Sequence, residues 1–230
     1  MKYFMSLIFS LAIYAQSLAD CSSSGIWTYP NGGEINQNSL IVVEGYARSQ
    51  SIIDSLNTRH KAYLEADGHK IDLKVIEICK GMFSLTQALL QPSTELLAGK
   101  TYVLKISNLN EWEKKGLMRW NSESYEHEPI TWKASNKTNN QAPTWVTKPK
   151  FIDKTIEYFG CGPAVFTNYS MSVIDHSKTL IKTELYNITT QTSNSYYLTL
   201  KDNGTLDVGH GMCAGAFEYI KKHKYKIRFS

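Results

Sequence analysis

The stretch AYLEADGHKIDLKVIEI, residues 62–78, sets the fold class. Asp67-Gly68 at its centre is a pair that accepts the left-handed backbone of a two-residue hairpin turn. Beyond it Ile71, Leu73 and Val75 alternate with Asp72 and Lys74, the period of a half-buried strand. Before it Ala62 to Ala66 supplies the partner strand. The same style repeats on both sides. Ser39 to Glu44 is a β-branched apolar run after the PNGG turn at 30–33, Leu85 to Leu90 is another, and Tyr102, Leu104 and Ile106 alternate with Val103 and Lys105. Arg48 to Lys61 breaks the alternation and leaves room for a helical turn. Short strands at even spacing predict a β-sandwich.

Composition agrees. The chain has 230 residues, room for one large domain or two of about 100. With 42% apolar and 20% charged residues it is neither disordered nor a coiled coil. Aromatic residues make up 12%, which favours strands. The net charge of +4 falls to +3 without Lys2, too little for a nucleic-acid binder.

Gln91-Pro92-Ser93-Thr94-Glu95-Leu96-Leu97-Ala98-Gly99-Lys100-Thr101-Tyr102 resembles the bacterial Ig-like domains of surface-layer and adhesion proteins. There a proline is followed by L-x-x-G-x-x-Y just before a late strand, and Leu96, Gly99 and Tyr102 occupy those positions. PNGG, Asn38 and Ile41-Val42-Val43 are similar to the family's opening strand pair. The resemblance covers about the first half of the chain. It implies an Ig-like sandwich with a tyrosine corner, in which Gly99 turns the chain and the Tyr102 hydroxyl bonds a preceding backbone group. It implies no chemistry. Family members usually lack a disulfide, and Cys79 departs from that.

Asn136 to Gln141 has no apolar residue and Ala142-Pro143 follows, the composition of a linker. Ile130-Thr131-Trp132 before it reads as the last strand of the first domain. Beyond it Thr155 to Phe159 and Ala164 to Met171 flank the GCGP turn at 160–163, and Leu180 to Ile188 follows. Ser195 to Leu200 and Thr205 to Val208 form a hairpin across Asp202-Asn203-Gly204. In Lys222 to Phe229, His223, Tyr225, Ile227 and Phe229 alternate with Lys222, Lys224, Lys226 and Arg228. The expected plan is all-β: a signal peptide at 1–19, an Ig-like sandwich at 20–135, a linker at 136–142 and a second Ig-like sandwich at 143–230.

The leader reading rests on Lys2, the apolar run Phe4 to Ala15, and the small residues Ser17 and Ala19 before a cleavage point. Leu18-Ala19-Asp20-Cys21 resembles a lipobox, but Asp20 stands where that pattern needs a small residue. A lipid anchor on Cys21 is therefore disfavoured. No other segment carries the ~20 apolar residues of a membrane span. Export places the chain in the periplasm, on the outer surface or outside the cell, where paired cysteines are the default. Cys21, Cys79, Cys161 and Cys213 allow three pairings. Two lie in each half, so Cys21–Cys79 and Cys161–Cys213 are expected, each closing a loop of about 50 residues and contributing about 4 kcal/mol in the chain-entropy account.

No catalytic, cofactor or phosphate-binding motif stands out, and no metal site. His210-Gly211-Met212-Cys213, with Cys161 in GCGP, lacks C-x-x-C spacing, so a disulfide between glycine-rich strand ends is the plainer reading than zinc. His127, between Glu126 and Glu128, reads as part of a solvated loop. Trp112, Trp120, Trp132 and Trp145 gather in sequence around the domain junction; they fit either sugar stacking or an apolar interface. Lys222, Lys224, Lys226 and Arg228 read as edge-strand protection before they read as a grip on an anionic polymer. The function expected is a non-enzymatic Ig-like module, secreted or in the envelope, whose partner is a surface glycan or envelope protein. The alternative is a secreted hydrolase or thiol-dependent enzyme centred on His210 and Cys213. The leader reading predicts a mature chain beginning at Asp20. Intact mass of the exported protein checks it, and a diacylglyceryl adduct on Cys21 would refute it.

Overall fold

The structure is a computed structural model that describes residues 24–174 and 179–230. The leader expected at 1–19 and Cys21 lie outside the described residues. The fold is all-β, with sixteen strands among the described residues and two separate apolar cores. No helix among them is long and apolar enough to cross a membrane.

The first core is wrapped by β1 (Gly25–Tyr29), β2 (Gly33–Ile35), β3 (Ile41–Tyr46), β4 (Ala62–Ala66), β5 (His69–Lys80), β6 (Leu85–Pro92), β7 (Thr101–Ile106) and β10 (Thr131–Ala134). Their order is β1-β3-β6-β5-β4-β7-β10-β2, antiparallel except for β10 beside β2. β5 makes this continuous. Its first residues pair with β4, its last pair with β6, and a bulge between Val75 and Glu77 bends it from one layer to the other. Asp67 and Gly68 both take positive φ, as the hairpin turn requires. The inward rows are those of the alternating pattern: Leu64, Leu73, Tyr102, Leu104 and Ile106 are buried. A 3₁₀ turn at Ala47–Ser49 and the helix α1 (Gln50–Asp54) fill the non-alternating segment and cap the core with Ile52 and Ile53.

The corner at Tyr102 is formed. Gly99 has φ +77°, a conformation that residues with a Cβ rarely adopt, and the Leu97 N–H donates to the Tyr102 hydroxyl at 2.9 Å. The ring is buried in the core. Residues 110–129, irregular by composition, hold the short helix α2 (Glu111–Lys115), capped by Asn110, and the hairpin β8 (Met118–Asn121) with β9 (Glu126–Pro129). The polar run 136–142 is fastened to the first unit: Asn38 donates to the Asn139 carbonyl and accepts from the Asn139 N–H.

The second core lies between two three-stranded sheets. One is β11 (Thr144–Phe159), β12 (Gly162–Ile174) and β15 (Thr205–His210); the other is β14 (Thr192–Thr199), β13 (Leu180–Asn187) and β16 (Tyr225–Phe229). The hairpin expected across Asp202–Gly204 is corrected here. The turn closes locally, Lys201 N–H to Thr205 carbonyl at 2.9 Å, but β14 then pairs with β13 and β15 with β12. Alternation gave both strands a buried face, and burying them against each other across the core satisfies it as well as a shared sheet does. β11 starts before Pro149, which sits where the register slips between Thr147 and Lys150 and leaves no ladder bond unmade.

Tyr102→Phe should remove one hydrogen bond and strand the Leu97 N–H. A loss of about 1–3 kcal/mol is expected, with the fold retained because the ring still fills its site. An unchanged urea midpoint would refute it.

Candidate functional site

β3 and β6 bury residues on both faces, and their outward residues explain why. Val42 and Leu89 are buried on the outer face of the first unit, in register with each other and beside the pair Glu44 and Gln87. β14 of the second unit lies against that face. Its free edge needs partners, and Gln87 supplies them: the amide nitrogen donates to the Tyr197 carbonyl at 3.0 Å, and the Tyr197 N–H donates to the amide oxygen at 3.1 Å. One side chain thus completes one rung of a ladder. Around it the Tyr196 hydroxyl donates to Glu44 at 2.6 Å, the Tyr197 hydroxyl to Glu77 at 2.7 Å, and the Lys182 ammonium to both Glu77 oxygens at 2.8 Å.

The two carboxylates have opposite electrostatics. Burial raises the Glu44 pKa, and the Tyr196 hydrogen bond only partly offsets this. Burial also acts to raise that of Glu77, but there the hydrogen bonds from Lys182 and Tyr197 and the Lys182 charge win, and it is lowered. Burial and the Glu77 charge push the Cys79 thiol up to about 11. At neutral pH it is protonated and a poor nucleophile. The network borders a cleft of 510 Å³ lined by Cys79, Lys80, Lys182, Glu184, Ser195 and Arg228. A second cleft of 580 Å³, touched by Leu89 and Tyr197, is floored by Ile35, Leu40 and Leu180 and edged by Asn36 and Asn38.

The residues singled out from sequence are dispersed. Trp132 is fully buried in the first core, its indole N–H donating to the Pro30 carbonyl at 2.9 Å, so it is corrected from ligand candidate to core anchor. Trp145 packs partly buried against the second core. Trp112 on α2 and Trp120 on β8 are 56% and 54% exposed, on separate elements. Lys222, Lys224, Lys226 and Arg228 are exposed as the alternation requires; Arg228 pairs with Glu184 at 3.1 Å, and β16 is an edge strand.

The cysteine pairings are corrected. Cys79 is a buried free thiol, so no Cys21–Cys79 bridge exists, and Cys161 is not joined to Cys213. The half-and-half argument failed because the units are not independent: Cys79 belongs to the second core. Cys213 is disulfide-bonded and carries no thiolate for nucleophilic work. His210 is packed against Phe83 edge to face at 5.5 Å, its Nδ1 sits 2.8 Å from the Gly211 carbonyl, and a Cβ on Gly215 would lie 2.1 Å from its own. Glu44, Glu77, Gln87, Lys182, Tyr196 and Tyr197 escaped the sequence reading. Glu44 and Gln87 carried a signal, each a polar residue within a strand buried on both faces.

No protein-family model matches the chain, and no curated protein matches it. Among solved structures it is similar to a pullulanase complexed with maltotriose from Anoxybacillus sp. LM18-11, at 12% identity and TM-score 0.27, over 90% of this chain and 24% of that one. A type I pullulanase from Bacillus subtilis str. 168 complexed with maltose gives 11% identity and 0.28, over 85% and 22%. Dimeric latent PorU from Porphyromonas gingivalis gives 10% and 0.32, over 94% and 20%. The chain spans a quarter or less of their lengths, and likeness this low carries no argument about function.

Gln87→Ala strands the Tyr197 N–H and carbonyl together. It should cost about 1–3 kcal/mol for each group that stays dry and speed labelling of Cys79 by a thiol reagent, read by peptide mass. Labelling as slow as in the parent would refute it. The carboxylates predict opposite pH slopes. A raised pKa in the folded state makes Glu44 contribute stability at low pH that is lost as pH rises through that value, so Glu44→Gln should gain on the parent towards neutrality. A lowered pKa makes Glu77 contribute stability above its unfolded value that is lost as pH falls, so Glu77→Gln should flatten the acid limb. Urea midpoints from about pH 3 to 8 check both signs.

Proposed function

We propose that the chain is a non-enzymatic, Ig-like binding or structural module, exported to the cell envelope or beyond, which presents its two units to a surface glycan or envelope protein as one rigid piece. The carrying observation is the junction. The ionisable groups that border its cleft are committed to one another, Glu77 to Lys182 and Tyr197, Glu184 to Arg228, and the thiol among them is held protonated. Groups spent in this way hold geometry. The corner at Gly99 and Tyr102 supports the Ig-like reading of the first unit, and the leader at 1–19 supports export.

Lys226 and Arg228 on β16, with Lys222 and Lys224 just before it, serve in this reading as protection of an edge against further pairing. The test is a screen of envelope glycans and envelope proteins at low and high salt. Lys224→Glu with Lys226→Glu should leave the association unchanged. Turnover of an ester, peptide or glycoside panel that one substitution abolishes would refute the non-enzymatic reading. Salt-sensitive binding lost on charge reversal would refute the edge-protection reading alone.

A further inference from the structure

Among the described residues the second unit has four strand edges, and three of them are accounted for. Gln87 completes a rung on β14. The segment after β15 folds back along it, with the Phe217 N–H donating to the Gly209 carbonyl at 3.2 Å and His210 bridged to Gly215. β16 carries Lys226 and Arg228 on its exposed face. The fourth edge is β11, joined to β12 alone. Lys148, Pro149 and Lys150 guard its first half against pairing, but residues 155–159 hold neither lysine nor proline.

The unguarded part also turns apolar side chains towards the space between the sheets. Tyr169 packs against the second core, and the Thr167 hydroxyl lies 2.6 Å from that of Tyr219, so both face inward. Cross-strand register puts Phe151 opposite Tyr169, Lys154 opposite Thr167, Ile156 opposite Val165 and Tyr158 opposite Pro163, on that same face. Phe151 meets Tyr169 edge to face at 5.8 Å, and Tyr169 meets Phe229 of β16 at 4.9 Å. β16 is the last strand of the opposite sheet, and beyond it the inward residues of β11 lose their cover: Phe151, Ile156 and Tyr158 are 54%, 45% and 83% exposed.

A bare edge selects its occupant by backbone chemistry, because another strand supplies the N–H and C=O groups that the ladder lacks. Side chains then decide which strand. It must bring apolar residues beside Ile156 and Tyr158 and set no like charge opposite Asp153, Lys154 or Glu157. The same segment of a second copy does this in one antiparallel register, with the two-fold axis at Ile156. Ile156 then meets its own copy, Lys154 lies opposite the Tyr158 ring, Thr155 opposite Glu157 and Asp153 opposite Phe159. Moving the axis to Thr155 brings Asp153 against Glu157. Moving it to Lys154 or to Glu157 sets that charge against its own copy.

We propose that the chain forms a symmetric dimer by antiparallel pairing of residues 153–159 of β11 in two copies, which joins two three-stranded sheets into one. The ladder is short, so the dimer is weak and reversible. It draws on none of the junction residues and stands or falls apart from the module reading above.

Sedimentation equilibrium of the purified chain should show monomer and dimer and nothing larger, because a two-fold contact closes on itself. Ile156→Lys sets two ammonium groups together at the axis and should weaken the dimer about tenfold. The urea midpoint should stay near the parent value, since Ile156 belongs to neither core. Thr155→Lys gains two ion pairs with Glu157 of the second copy and should tighten the dimer severalfold at low salt, and adding Glu157→Lys should reverse the gain. A chain that is monomeric up to about 1 mM, a dimer indifferent to Ile156→Lys, weakening by Thr155→Lys, or growth beyond a dimer would each overturn the proposal. A monomeric chain that binds a synthetic peptide of alternating valine and glutamate would overturn it too, and would give the edge to another protein's strand.

Discussion

The edge of a β-strand is a row of backbone donors and acceptors that must be satisfied or left wet. β14 is such an edge, and the fold places it against the outer face of the first unit, where water is scarce. Gln87 resolves this. Its amide turns one N–H donor and its carbonyl acceptor toward Tyr197, as a peptide group would, so it stands in for the strand that would otherwise lie there. Everything else at the junction is arranged around that rung. Tyr196 and Tyr197 reach past it to Glu44 and Glu77, and Lys182 closes the group. Because these groups are polar, they fix one orientation of the units, where an apolar face would tolerate sliding.

Much of the first unit was legible. The hairpin over 62–78, the corner at Tyr102 and the alternating inward rows follow from local chemistry, because each is set by residues close in sequence. The second unit was legible strand by strand and misread in assembly. Alternation says which residues of β14 and β15 face the core, but the pattern is the same whether two strands share a sheet or oppose each other across the core.

The junction was hidden for a related reason. Nothing near Gln87 in sequence announces Tyr197, and the signal was only that a strand reading Thr86-Gln87-Ala88-Leu89-Leu90 buries both faces with a glutamine on one of them. The tryptophans show the opposite error. Their closeness in sequence suggested a cluster, and the structure sends Trp132 into the core and leaves Trp112 and Trp120 outside on different elements. The cysteines failed where the premise of self-sufficient halves failed.

Cys79 and Leu85, residues of the first unit, belong to the second core. Assembly therefore has an order. The first unit contains every residue of its own core and can close as soon as its strands have emerged. The second lacks part of one wall until β5 and β6 are in place, so its sheets have a finished surface to condense on only after the first unit has folded. During synthesis, when the chain appears from its N-terminus, that order matches the order of arrival. A break in the polar segment at 136–142 would leave the N-terminal piece with a complete core and the C-terminal piece with an open one.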